Sequence, residues 1–464
     1  QALDAARLGG AGGPADHPAI GLAEHEPGYM FRAQVTQNFS VVTAACLLVP
    51  KAVYEAVGGL DEATFGVSYN DVDFCLRVGQ AGLRVVWTPL ATLLHEGSAS
   101  QKASIESLSQ SQKARRFTAE QMSMFRRWPS LLARDPYYNG HLSLAERGKV
   151  LRAVGAELRR RRDDIQRIMT AEMGKLRKEA LAEVDKCAGA CDYYADHAAD
   201  YLQDRPVATD GQRSYVRYEP IGCVLAVMPW NFPIWQVFRF LAPALMAGNV
   251  AVLKHASNVP RCADVIGEVL TAAGVPDGVL GVLHIDNDQA AEVIRDPRVA
   301  AVTLTGSERA GRSVASNAGS QLKKSVMELG GSDAFIVLDD ADLDKTVAGA
   351  VASRFGNAGQ TCIAAKRFIV VEAVADEFRD RFVEAASRLQ PGDPQAEATG
   401  LAPMARADLR DELHRQVEAS LAAGAKAALG CAPGAGDTHY PASILDQVRP
   451  GMPAYDEELF GPVA

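Results

Sequence analysis

The sequence predicts an α/β protein with a doubly wound sheet in its middle, and three observations carry that prediction. Short apolar, β-rich runs stand at Val224–Pro229, Val250–Lys254 and Val299–Thr305. Before the first of them, Val150, Leu151, Val154, Leu158, Ile165, Ile168 and Met169 recur at helical spacing with charges between them. Each run ends at residues suited to a ligand, Trp230-Asn231, Lys254 and Gly306-Ser307, where an open α/β sheet presents its strand ends.

A length of 464 residues suits about three domains, and 48% hydrophobic with 23% charged residues is ordinary for a globular protein. The net charge of −9 argues against nucleic-acid or anionic-membrane partners, which require clustered positive charge. The basic run Arg159–Arg162 reads as a solvated helix face. No apolar run reaches the roughly 18 residues of a membrane span, and no basic-then-apolar leader opens the chain. A cytoplasmic protein is expected. The eight cysteines show neither a disulfide framework nor paired zinc spacing, and Cys187-x3-Cys191 reads as core packing rather than a metal pair. Gln1 opens the chain and Ala464 closes it directly after an apolar run, so both ends read as cut.

In chain order, the first 28 or so residues are Gly-, Ala- and Pro-bearing. Gly9-Gly-Ala-Gly-Gly13 lacks the Lys-Ser/Thr of a phosphate loop and reads as a surface loop. Val41–Val49 reads as a strand, and Pro50 starts a short helix to Val57 that Gly58-Gly59 ends. From Glu146 a long amphipathic helix is expected, continued by Glu172-Met-Gly-Lys175, with a second helix to about Leu202. The three strand runs follow. After them, Cys362 stands behind a Gly-Gln turn in Asn357-Ala-Gly-Gln-Thr-Cys362, and 34 residues before it lies Glu328-Leu-Gly-Gly331. Free cysteines are more often small buried hydrophobes than nucleophiles. Here an amide (Asn231), a cation (Lys254), a glycine turn (Gly306–Gly311) and a carboxylate (Glu328) accompany the thiol in one chain order.

With that set in view, residues from about 146 to 464 resemble the aldehyde dehydrogenase superfamily. The resemblance is strongest to bacterial succinate semialdehyde dehydrogenases, through Trp230–Arg239, Leu253–Ser257, Glu328–Ser332 and Pro403-Met404. It implies a Rossmann-like cofactor-binding domain (145–328), a truncated α/β catalytic domain (329–464) and NAD or NADP as cofactor. Cys362 would be the nucleophile, Glu328 the general base of thioester hydrolysis, and Asn231 the oxyanion donor. Trp230, Lys254, Ser257, Gly306, Ser307, Glu458 and Phe460 would line the cofactor. Lys254 would contact the adenosine ribose, the helix after Gly306-Ser307 the pyrophosphate, Glu458 the nicotinamide ribose, and Phe460 would flank the nicotinamide. Ser257 replaces a frequent family Glu, which removes a repulsion against a 2′-phosphate without excluding NAD. Arg239 would bind a substrate's remote carboxylate, and Gly356 departs from a second such arginine in related enzymes. No metal belongs to this part. The family's homo-oligomer uses a C-terminal strand missing here, so this chain is expected to show little dehydrogenase activity.

Residues from about 17 to 144 have a second resemblance. Gly58–Glu62, Tyr69-Asn-Asp-Val-Asp-Phe-Cys-Leu-Arg77, Ala81-Gly82, Thr88-Pro89, His95, Arg127-Trp128 and Asp135–Asn139 resemble the C-terminal half of a family 2 glycosyltransferase of the GT-A α/β fold. Asp71 would match the general base and His95 a residue holding the sugar-nucleotide's divalent metal. The nucleotide-binding half, with its own Asp-x-Asp, is absent, so a competent transferase is not expected. The switch of resemblance between Asn139 and Glu146, without a flexible linker, reads as a fusion, with residues 1–144 as a partial unit.

Overall fold

The computed structural model describes residues 5–10, 13–16, 36–43, 46–66, 68–88, 90, 110–128, 144–211 and 214–464. They fall into two compact units, 1–143 and 144–464.

In the first unit, Ala5–Gly10 pairs antiparallel with Gly13–Asp16 and with Val41–Val42, and Gln37–Phe39 pairs with Val85–Trp87. The surface loop expected over Gly9–Gly13 is thus corrected: Gly9, Gly10 and Gly13 are ladder residues. Strand pairing uses main-chain N–H and C=O, which glycine carries, so composition concealed it. The strand expected to Val49 ends at Val42; beyond it Leu47 and Val49 pack, partly buried, against the core of this unit without a strand partner, while Leu48 is 99% exposed. The helix Lys51–Ala56 follows Pro50, and Gly58 and Gly59 leave it at φ +85° and +65°, which favours glycine.

Helix Asn70–Gln80 buries Val72, Phe74, Cys75, Leu76 and Val78 against Phe39, Val41 and Phe65. It also buries a charge. Asp73 is fully enclosed and accepts from Arg77 Nε (2.8 Å), Arg127 Nη1 (3.0 Å) and Trp128 Nε1 (2.9 Å). Asp71 sits in the helix's first turn, at the positive end of the helix dipole. His95, Pro89 and Asp135–Asn139 lie outside the described residues.

The second unit opens with three helices, α1 (Leu144–Arg160), α2 (Arg162–Met173) and α3 (Arg177–Tyr201). The single long first helix is corrected by a break at Arg161. Each arginine of the run takes a different acid: Asp192, Glu157, Glu268 and Asp185 in turn. Arg161 turns toward Glu268 in a later helix, which an unbroken helix would not direct it to. Gly174 closes α2 at φ +75°; a Cβ there would meet Pro403 Cγ at 2.8 Å. Cys187 and Cys191 are fully buried on α3, where burial pushes the Cys191 thiol up to about 12.

Five parallel strands follow: β1 (Cys223–Met228), β2 (Val250–His255), β3 (Leu280–Leu283), β4 (Val299–Gly306) and β5 (Lys324–Leu329), in the order β3-β2-β1-β4-β5. Alternate residues of β1 face different cores. Ala226 and Met228 pack with Ala251, Leu253 and the helices α1, α2 and α3, whereas Leu225 packs with Val302, Ile294 and Ala318. Helices therefore cover both faces, and the order reverses between β1 and β4, the crevice where open α/β sheets bind ligands. A second parallel pair, β6 (Asp333–Val337) and β7 (Ala365–Val370), encloses α4 (Leu343–Phe355) and the cysteine loop. No described helix is long and apolar enough to cross a membrane.

Candidate active site

The chain leaves β1 through Pro229–Pro233, and buried polar groups fix that turn. Lys175 Nζ donates to the Asn231 carbonyl at 2.8 Å and pairs with the equally buried Glu183. Glu183 Oε1 accepts from the N–H groups of Ile234 and Trp235, both at 2.9 Å, at the start of the following helix. Lys175 also stands 3.8 Å from the Phe232 ring centroid. Asn231 is 4% exposed, and its Nδ2 donates to the Gln360 carbonyl at 3.0 Å. An amide nitrogen has two hydrogens, so one orients the group and the other is left for a ligand.

Gln360 belongs to the cysteine loop, which brings Asn231 and that loop together across 129 residues. Asn357, Ala358 and Gly359 are all left-handed, at φ 54°, 53° and 69°. Two non-glycine residues in that region store backbone strain, so the surroundings must impose it. Glu179 Oε1 accepts from Asn357 N (2.8 Å), Asn357 Nδ2 donates to the Asn231 carbonyl (2.9 Å), and Gln360 Oε1 accepts from Ala405 N (2.9 Å). Arg354, fully buried, donates to the carbonyls of Gly359 and Leu459 at 3.2 Å and to that of Gly461. Burial brings its guanidinium down to about 10, still charged at neutral pH. Cys362 follows this clamp and is half-buried.

Glu328 is the penultimate residue of β5 and is half-exposed; its Oε2 lies 3.2 Å from Arg239 Nη2, which also donates to Thr305 Oγ1 at 3.4 Å. Both border a cavity of about 550 Å³, with Gln236, Thr303 and Thr305 among its polar walls and Met228 and Phe240 among the apolar ones.

Trp230, Lys254, Ser257, Gly306 and Ser307 stand at or just beyond strand ends, and Glu458 and Phe460 lie in the later Glu457–Pro462 stretch. Lys254 is on β2, half-buried, and burial lowers its pKa. Ser257, three residues on, is exposed. Gly306 ends β4, and Ser307 caps the next helix by accepting from Ala310 N. Trp230 and Phe460 meet edge to face with centroids 5.8 Å apart. Glu458 lies against Gly330, where a Cβ would fall 2.0 Å from its Oε2. A half-buried cation, a capped helix N-terminus, an aromatic pair and an acid form a donor set that fits a dinucleotide.

The sequence profile of the aldehyde dehydrogenase family matches residues 138–464. The chain belongs to that family. The match begins ahead of Glu146, where the sequence reading had placed the start. The chain is 51% identical over 319 residues to "Succinate semialdehyde dehydrogenase [NAD(P)+] Sad" of Escherichia coli (strain K12), covering 68% of this chain and 69% of that protein. It is 52% identical over 328 residues to "Probable succinate-semialdehyde dehydrogenase [NADP(+)]" of Synechocystis sp., covering 70% and 72%. A solved succinic semialdehyde dehydrogenase from Streptococcus pyogenes, in complex with NADP+, superposes with a TM-score of 0.69 at 40% identity over 74% of this chain and 76% of that one.

Within this family member, Lys175, Glu179, Glu183, Arg354 and Lys366 were not singled out from the sequence for the site. Charged side chains read as surface when burial is unknown. A usable signal was Gly174-Lys175, because a glycine holding positive φ fixes the residue that follows. His255 was missed as well. It is buried, its Nε2 is 2.8 Å from the Pro233 carbonyl, and its Nδ1 accepts from Ala256 N, so the neutral ring braces the Trp230–Pro233 turn. Burial holds its pKa down to about 4. An unfolded histidine takes a proton near pH 6.5 that the folded one refuses, so stability should fall as pH drops from about 6.5 to 4, on the order of 2 to 4 kcal/mol. Urea melts across that window should show His255→Gln lacking this slope; equal slopes would refute it.

Proposed function

We propose that this protein oxidises an aldehyde bearing a remote carboxylate, of the succinate semialdehyde class, to the acid with NADP or NAD. The observation that carries the substrate class is Arg239, a guanidinium bordering the cavity that Glu328 also borders. It suits a planar carboxylate, and the relatives named above are succinate semialdehyde dehydrogenases.

The residues divide the work as follows. The Cys362 thiolate adds to the aldehyde carbon, and the free N–H of Asn231 stabilises the oxyanion, a contribution of about 3 kcal/mol. Bound NAD(P) supplies the hydride acceptor. Glu328 then takes a proton from the water that cleaves the resulting thioester, releasing the acid and the thiol. Trp230, Lys254, Ser257, Gly306, Ser307, Glu458 and Phe460 would hold that acceptor, and exposed Ser257 would leave room for a 2′-phosphate. The direct test is NADPH formation by the full-length protein with succinate semialdehyde against butanal. A preference for butanal would overturn the substrate assignment.

Glu328→Gln should retain a first-turnover burst of NADPH while steady-state turnover falls about 100-fold, because only deacylation needs the base. Stopped-flow traces separate the two phases; an undiminished steady state would contradict the role.

We also infer that the first unit derives from a family 2 glycosyltransferase fused ahead of the dehydrogenase. What supports it is that Arg127-Trp128 and Asp73, drawn from separate motifs of that resemblance, converge on one buried carboxylate. Titration of these 464 residues with uridine diphosphate and Mn2+ tests it: residues 1–143 carry no Asp-x-Asp besides Asp71-Val-Asp73, so no binding is expected, and Asp71 should be dispensable for the dehydrogenase. Residence in the cytoplasm belongs to the same proposal; sedimentation reads out whether these residues form the family's homo-oligomer.

A further inference from the structure

Lys366 is the second residue of β7, and its side chain is 2% exposed. Its ammonium has three hydrogens and three acceptors: the Gly331 carbonyl at 2.7 Å, the Cys362 carbonyl at 2.7 Å and Glu458 Oε1 at 2.6 Å. The acceptors come from three separate segments, the turn after Glu328, the cysteine loop and the Glu457–Pro462 stretch. A buried ammonium is tolerated only when so paired, because desolvating it alone is costly. The arrangement is also sterically specific. Glu458 can lie flat only because residue 330 is glycine, whose absent Cβ would sit 2.0 Å from Oε2. Glu458 therefore commits Oε1 to Lys366 and keeps Oε2 for another donor.

We propose that Lys366 is a positioning residue that sets the ribose-holding carboxylate of Glu458 and the backbone of Cys362 from one point, so that cofactor and nucleophile stay in register. This rests on the reading of Glu458 as the group that accepts from the nicotinamide ribose. All three hydrogens of the Lys366 ammonium are committed to these acceptors. Its removal frees a carboxylate and two carbonyls together, which the loss of Glu458 alone would not do.

The test is NADPH affinity by fluorescence titration of the full chain, which needs no turnover. Glu458→Gln and Lys366→Met should each weaken NADPH about tenfold or more, as expected for losing a hydrogen bond to a charged group. The double variant should be no weaker than Lys366→Met, since the two residues act as a unit. Ethylammonium should restore binding to Lys366→Ala, whereas tetramethylammonium, of equal charge but too bulky and without N–H donors, should not. Wild-type affinity in both Lys366 variants, with Glu458→Gln weakened, would overturn the proposal alone. Wild-type affinity in Glu458→Gln would overturn the ribose reading and the proposal with it. If the lysine variants do not fold, Glu458→Gln still reports the link. It removes the negative charge that Lys366 pairs with, so the rate of Cys362 alkylation by iodoacetamide should change by about threefold or more through the shared ammonium. An unchanged rate overturns the link.

Discussion

Replacing Cys362 with alanine should abolish aldehyde oxidation, a loss above about 10⁴-fold, because no other group can form the covalent intermediate. The fold should survive. The contacts that impose the left-handed Asn357–Gly359 turn run through Glu179, Asn357, Gln360, Arg354 and Ala405, and none of them uses the Cys362 thiol. Nor can a neighbouring cysteine take over. Cys187, Cys191 and Cys262 are buried, and burial raises each thiol, which suppresses the thiolate. NADPH absorbance with succinate semialdehyde, beside a thermal melt with and without NADPH, makes the measurement. Turnover near wild type would remove Cys362 from the mechanism, and a collapsed melt would show that the thiol is structural.

What could be read from the sequence was whatever expresses itself in local pattern. The runs at Val224, Val250 and Val299 became β1, β2 and β4 within one residue of their expected bounds, since buried parallel strands are nearly continuous apolar stretches. β5 escaped notice because Lys324-Ser-Val-Met-Glu-Leu329 is a mostly exposed edge strand with mixed composition, although it carries Glu328. The break at Arg161 escaped for the opposite reason: helical spacing continues across it, and only the distant Glu268 shows why the chain turns. The same limit applies to the site. Asn231 and Cys362 announce themselves by their neighbours in sequence. Lys175, Arg354 and Lys366 act through carbonyls up to 107 residues away, and a charged residue gives no sequence sign that it will be buried.

Arg239→Leu should cost succinate semialdehyde on the order of 2 to 5 kcal/mol in kcat/KM, the loss expected when one partner of an enclosed charge pair is removed. Butanal, which has no carboxylate to bind, gives the control. Arg239 also sits 3.2 Å from Glu328, so the substitution removes a partner of the proposed base at the same time. The two effects differ in size. Arg239 and Glu328 are 37% and 52% exposed, and an ion pair so open to water is worth about 0 to 1 kcal/mol, so butanal should change by no more than about fivefold. A carboxylate drawn into the cavity exchanges water for the guanidinium and feels its loss in full. Deacylation gives a further check: if Arg239 restrains Glu328 when no carboxylate is bound, the variant should turn butanal over as fast as the wild type or faster, never slower. Parallel losses on the two aldehydes would make Arg239 a structural brace between the helix Trp235–Met246 and the β4–β5 edge, and the substrate class would have to be sought elsewhere in the cavity.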